Sequence, residues 1–390
     1  VSENSIDLNG EAAAETTDGV SSLATYQEVL QQPAVWRQAA ASLAARSSEL
    51  AAFLEPLLAQ PDLRIVLTGA GTSAFVGEVL APPLSRRLRR RVDAIATTDI
   101  VSNPREMFAD DVPTLLVSFA RSGDSPESVA ATQLATSCLR AAHHLVITCN
   151  ATGRLAREHE RSASSLVVLM PEATNDRGFA MTSSFTSMLL TAWLALAPDQ
   201  DPGLTDRLAD AAEQVLARAD DLSAYTARRY DRVVYLGSGA LSGLARESAL
   251  KLLELTAGKM ISFYDTPLGF RHGPKSVLNE RSLAVLYLSN DLYTRRYDQD
   301  IAMELRAAIG PENVLIVDGR SDDPDVAPEA WRIAGVAEVN DAPLVLPFVV
   351  IAQLLALQFS VALGRTPDNP FPDGEVNRVV QGVTIHPLQP

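Results

Sequence analysis

"RIVLTGAGTS", residues 64–73, and "RVVYLGSGALS", residues 232–242, decide the fold. Each is an apolar run that breaks into glycines and then into residues that can start a helix: Gly69-Ala70-Gly71 in the first, Gly237-Ser238-Gly239 in the second. A strand, a glycine turn and a helix open a βαβ unit, which builds a parallel sheet. Because the same opening occurs twice, we expect two tandem copies of one α/β unit rather than one large domain.

Further apolar runs fit this frame. Ile65–Thr68, Thr114–Phe119, Leu145–Thr148 and Leu166–Met170 read as strands of the first copy. Val233–Leu236, Leu283–Leu288 and Val314–Val317 read as strands of the second, with a last apolar segment near Leu344. Both copies close on an apolar helix, Phe185–Leu196 and Phe348–Leu363, and the joint falls near Pro198–Thr205. A single helix is expected from Val35 to Leu58 ahead of the first strand, ended by Pro61. The run Leu344–Leu363 is long enough to cross a bilayer. It carries Pro347, Gln353, Gln358 and Ser360 with no basic residue at its N-terminal end, so burial in a core or an oligomer interface is the expectation.

Composition bounds the function. In 390 residues, 47% are hydrophobic and 21% charged, as in ordinary folded proteins. A net charge of −15 disfavours sequence-independent nucleic-acid binding, which needs clustered cations. The one basic cluster, Arg86, Arg87, Arg89, Arg90 and Arg91, lacks interleaved aromatics and reads as a solvated helix end. Cys138 and Cys149 match no zinc spacing and no disulfide framework, which fits a reducing cytoplasm. Residues 1–20 show no basic region followed by an apolar stretch, so no signal peptide is expected there.

Two loops can bind an anion. Gly71, Thr72 and Ser73 follow a strand and start a helix, where backbone N–H groups and the helix dipole converge. "SFARSGDSPES", residues 118–128, repeats the arrangement with Ser122, Gly123 and Ser125. Side by side at the carboxyl ends of parallel strands, they describe one phosphate pocket. A Walker A loop and a magnesium carboxylate cluster are both missing, which disfavours nucleotide hydrolysis. A dehydrogenase stays open on Gly69-Ala70-Gly71, with Asp93 or Asp99 as the ribose carboxylate. In the second copy Glu247, Lys251 and Glu254 share one helix face by their spacing. The chain's three lysines, Lys251, Lys259 and Lys275, fall in this one stretch while arginine serves elsewhere, which points to a need for an amine.

These residues resemble the sugar isomerase (SIS) family of phosphosugar-binding proteins, over nearly the whole chain after residue 30. "SFARSGDSPESVA", "RHGPKS" and the terminal "DNPFPDGEVNRVVQGVTIHP" carry a closer likeness to its AgaS-type branch of galactosamine-6-phosphate deaminase/isomerases, also described as tagatose-6-phosphate ketose/aldose isomerases. The resemblance implies two tandem SIS domains, each a flavodoxin-like doubly wound αβα sandwich. Their bounds are 31–203 and 204–366, after an acidic tail over 1–30 and before a C-terminal tail, 367–390, that closes over the active site. It puts phosphosugar binding on Gly71, Thr72, Ser73, Arg121, Ser122, Gly123, Ser125, Phe179 and Gln381. Ala120 and Arg121 replace the Ser-Gln pair of the related glucosamine-6-phosphate synthase, which loses one hydroxyl and gains a guanidinium that either holds phosphate bidentately or lies on the surface. Asn175–Phe179 matches the segment whose backbone closes over the sugar. The resemblance also implies Glu254 as the base that moves a proton between C1 and C2, with Glu247 and Lys251 beside it. His272 would open the ring, supplied across a homodimer interface. Gln381 stands at or near the synthase's Schiff-base lysine, so an imine through that residue is impossible. The glutaminase domain of the synthase has no counterpart, which favours the ammonia-releasing direction. The expected function is conversion of galactosamine 6-phosphate to tagatose 6-phosphate and ammonia in the cytoplasm, with no cofactor, metal, nucleic acid or membrane. A simple aldose–ketose isomerase, a fructosamine-phosphate deglycase and a non-catalytic phosphosugar sensor are the alternatives.

Overall fold

The computed structural model describes residues 21–197, 201–380 and 382–389. Two five-stranded parallel sheets form its frame. The first holds β1 (Arg64–Thr68), β2 (Val92–Ala94), β3 (Thr114–Ala120), β4 (Ala142–Thr148) and β5 (Ser165–Leu169), in the order β2-β1-β3-β4-β5. The second holds β6 (Arg232–Gly237), β7 (Ile261–Asp265), β8 (Ser282–Tyr287), β9 (Val314–Asp318) and β10 (Trp331–Arg332). Read from β7, its order β7-β6-β8-β9-β10 is the order of the first sheet over again. Register repeats as well, since Ile65 faces Leu115 in the first copy and Val233 faces Leu283 in the second. This is the doubly wound order in which ligands bind at the carboxyl ends of the strands, beside the first strand where the winding reverses.

Six helices bear on the site: α1 (Gln32–Ala45), α2 (Thr72–Leu88), α3 (Pro126–Cys138), α4 (Ser183–Leu196), α5 (Ala240–Leu255) and α6 (Asp341–Ala362). The strands β1, β3 and β6 are buried along nearly their whole length, as parallel strands covered on both faces must be. Helix α6 is apolar on every side, and most of it is buried. A helix with no polar face finds its low-energy place inside a core, and α6 runs through one continuous apolar cluster that reaches from Trp36 to Phe359.

The two copies meet through α2 and α5, which stand at equivalent places in each. A Cβ placed on Gly243 would lie 2.8 Å from Val79 Cγ2 and 3.0 Å from Val79 N, so only glycine lets these helices approach this closely. Gly71 and Gly239, just before the two helices, share one conformation, with φ 56° and 57°, in the region that favours glycine.

The structure departs from the sequence reading in three places. Arg46 interrupts the expected helix Val35–Leu58: at φ −105° and ψ 14° it separates α1 from a second helix, Ser47–Leu58. There its guanidinium bridges Glu49 and the Val167 carbonyl. The sequence reading did not include β2, β7 and β10: β2 and β10 are only 3 and 2 residues long, and β7 is an edge strand with no fully buried residue. Part of the expected N-terminal tail is helical, over Ala24–Leu30, because Asp368 accepts hydrogen bonds from Ala24 N and Thr25 N at its start. Residues 198–200 of the expected joint lie outside the described residues, as do residues 1–20.

Candidate active site

Lys251 is the centre of the site. It lies on α5 and is fully buried, yet its ammonium crosses to the other copy and donates to Thr72 Oγ1 at 2.9 Å. It also donates to Glu254 Oε2 at 2.6 Å and lies 3.5 Å from Glu247 Oε1. The spacing on α5 brings the three together as the sequence predicted, and they are a buried cluster rather than an ion-paired surface. Burial alone would lower the Lys251 pKa, but the carboxylates of Glu247 and Glu254 outweigh it and hold the amine charged. Burial also pushes Glu247 up to about 8, against the pull of Lys251. Burial thus favours the protonated form of Glu247, and the short contact from Lys251 goes to Glu254. Glu254 alone of the three retains solvent access, with a quarter of its side chain exposed. A carboxylate held this way is free to exchange a proton with a ligand in front of it.

The anion loops line up beside that cluster. Thr72 and Ser73 are buried in the first turn of α2, while Gly71 is exposed at the turn. The second loop follows β3. Ser125 caps α3 by accepting from Ser128 N, Gly123 has φ 69°, and Asn150 holds the loop from below by donating to the Ser122 carbonyl at 2.9 Å. The Ser122 hydroxyl is half-buried and accepts from Asp124 N at 3.3 Å.

Arg121 is buried, and its two terminal nitrogens donate to backbone carbonyls, Phe179 O at 3.3 Å and Arg378 O at 2.9 Å. Phe179 packs on Phe371 with ring centres 5.3 Å apart. The segment 367–380 thus lies against the Asn175–Phe179 loop. Gln381 lies outside the described residues.

His272 stands apart from this cluster. It is exposed in the turn after the short helix Pro267–Phe270, and among the described residues no hydrogen bond or ion pair joins its ring to Lys251 or Glu254. The turn itself is pinned, because Arg271 and Lys275 both bind Glu304. Clustering of the three lysines is thereby corrected: Lys275 serves Glu304, Lys259 is exposed, and only Lys251 belongs to the site.

Sequence reasoning missed three carboxylates that build the cover. Asp176 is fully buried and accepts from Thr182 N, Ser183 N and Ser184 N, capping α4 from outside it. Glu28 accepts from Arg177 N at 2.5 Å and from Gly178 N, and burial, then Asp176, pushes it up to about 7. Asp368 joins the tail to the helix Ala24–Leu30. The Thr-Ser-Ser run after Asp176 was the one available signal, since a hydroxyl-rich helix start invites a carboxylate.

The second copy does not repeat the site. Its equivalent loops are closed by their own carboxylates: Asp298 accepts from Ser238 Oγ at 2.5 Å and from Ser289 N at 2.9 Å. Asp341 does the same for Ser289 Oγ and Asn290 N. Asp93, one of the two candidate ribose carboxylates, is bound to Arg64 at 2.6 Å and Arg91 at 2.8 Å.

Residues 57–198 match the family model described as the SIS domain. An AgaS protein of Streptomyces coelicolor is 58% identical over 371 residues, covering 94% of this chain and 96% of that protein. The D-galactosamine-6-phosphate deaminase AgaS of Escherichia coli is 44% identical over 368 residues, with 94% and 96% covered. The crystal structure of tagatose-6-phosphate ketose/aldose isomerase from Escherichia coli superposes with a TM-score of 0.87 at 41% identity, covering 95% of this chain and 98% of that one.

Proposed function

Since the chain belongs to the SIS-domain family and to the AgaS proteins it matches end to end, we propose that it converts galactosamine 6-phosphate and water to tagatose 6-phosphate and ammonia. The observation that carries this is the Lys251 amine, which ties the Glu254 carboxylate to Thr72 of the phosphate loop. A proton acceptor is thereby fixed beside the place where a phosphosugar would dock.

The reaction needs few parts. With the ring open, Glu254 removes the proton from C2 and returns one to C1, so that the aldehyde carbon is reduced and C2 becomes an imine. Water adds to that imine and ammonia leaves, which balances the reaction without any oxidant or metal. Lys251 orients Glu254 through its 2.6 Å hydrogen bond. Thr72, Ser73, Ser122, Gly123 and Ser125, with the N-termini of α2 and α3, hold the phosphate. His272 gives and takes the ring-opening proton.

That role for His272 needs a second copy of the chain. Leu253, Ile261, Tyr264 and Leu268 are 45%, 53%, 41% and 46% exposed around the edge strand β7, on the elements that carry Glu254 and lead to His272. A patch of this kind on an unpaired edge is what a homodimer would cover. A second reading, isomerisation of tagatose 6-phosphate to its aldose without loss of nitrogen, is favoured by the name of the Escherichia coli structure and uses the same proton transfer. Turnover of galactosamine 6-phosphate with ammonia release separates the two. Glu254→Gln should lower the rate at least about a thousandfold while sugar-phosphate affinity stays within a few-fold.

A further inference from the structure

Arg121 is placed among the phosphate loops, but its bonds point elsewhere. Two of its nitrogens are spent on carbonyls of two separate covering segments, Phe179 of the loop and Arg378 of the tail. Arg378 answers with its own guanidinium, which donates to the Asp176 carbonyl of the same loop. The Phe179–Phe371 ring pair closes the arrangement on its apolar side. The buried Arg121 guanidinium therefore has the exposed guanidinium of Arg378 beside it, and like charges repel. Burial, and then the neighbouring Arg378, pull the Arg121 pKa down, while Asp176 and Glu254 oppose them. A second anion near Arg121 would relieve this repulsion, and Ser122 of the phosphate loop is the next residue along the chain.

We propose that Arg121 is a positioning residue that ties the Asn175–Phe179 loop to the C-terminal tail beside Glu254, and that an anion in the Ser122–Ser125 loop tightens the tie. Closure of the cover is thus coupled to the phosphate end of the substrate, with Arg121 acting through the two segments rather than as a phosphate ligand. The coupling rests on the phosphosugar reading of that loop, whereas the tie stands on the hydrogen bonds alone. A lysine cannot replace this arginine, because one ammonium does not present the planar fork that reaches two carbonyls.

Trypsin reads the tie directly, since it cuts after Arg378 and releases residues 379–390, a peptide that mass spectrometry can follow. With no ligand present, Arg121→Gln and Arg121→Lys should each release it about tenfold faster than the wild type, through loss of two hydrogen bonds. Inorganic phosphate should slow release from the wild type and leave both variants unaffected. In turnover assays Arg121→Gln should lower kcat about tenfold and change inorganic phosphate affinity less than about threefold. Phe371→Ala, on the tail, serves where Arg121→Gln fails to fold: it should speed the same cleavage. Where the double variant folds, Arg121→Gln should add less than about twofold to its loss of kcat. Wild-type cleavage rates in Arg121→Gln, together with a raised KM and weakened phosphate affinity, would make Arg121 a phosphate ligand and overturn the proposal. Full rescue by lysine would overturn the two-carbonyl tie. Phosphate that binds by calorimetry without slowing cleavage would overturn the coupling, and a failure to release ammonia from galactosamine 6-phosphate bears only on the activity.

Discussion

Burial sets the protonation of Glu247 and, through it, the charge on the site. Its folded pKa, about 8, lies above the ordinary carboxyl value because no water reaches it. A carboxyl raised in this way contributes stability that is fully present below about pH 4.5 and is lost as the pH rises through about 8. Above that range a second carboxylate competes with Glu254 for Lys251. The pH–rate profile of kcat should therefore fall on an alkaline limb near pH 8, and Glu247→Gln should remove that limb. The same variant should flatten the loss of stability between pH 4.5 and 8 in denaturant titrations. An unchanged alkaline limb would assign that limb to another group. Much of this cluster was legible, because spacing on one helix face put Glu247, Lys251 and Glu254 together. The bond from Lys251 to Thr72 was not, since no local pattern records which distant residue a buried side chain will meet.

At the scale of elements, the closeness of α2 and α5 fixes the distance between Thr72 and Glu254, the proposed phosphate contact and base. Gly243→Val would drive a branched side chain against the Val79 backbone. Overpacking of this sort costs about 1–3 kcal/mol and separates the helices. Thermal denaturation should show that loss, and kcat/KM should fall more than ten-fold as Lys251 is drawn off Thr72. A destabilised protein with normal turnover would mean that the spacing is not what orients Glu254. The long strands and the two closing helices were readable because continuous apolar runs must be covered. The edge strands β2, β7 and β10 were not, since β2 and β10 are very short, β7 has no buried residue, and all three take their place from pairing with β1, β6 and β9. Likewise Arg46 gave no sign that it would break a helix, because its partners, apart from Glu49, lie on β5.

The whole molecule is a duplicated unit with one proposed site. Repetition was visible in the glycine turns, whereas the silencing of the second copy was not, because Asp298 and Asp341 reach its loops from other elements. If the chain works as a homodimer sharing His272, two inactive variants should repair each other. Mixing Glu254→Gln and His272→Ala subunits should restore roughly a quarter of wild-type activity, since half the dimers are mixed and one of their two sites is intact. No recovery after verified subunit exchange would place the whole site within one chain. The most direct test of the account is to incubate the purified protein with galactosamine 6-phosphate and follow ammonia and tagatose 6-phosphate together, with Glu254→Gln as the control. Equal amounts of both products from the wild type, and none from the variant, are the predicted result; no ammonia from the wild type, or equal release by Glu254→Gln, would contradict it.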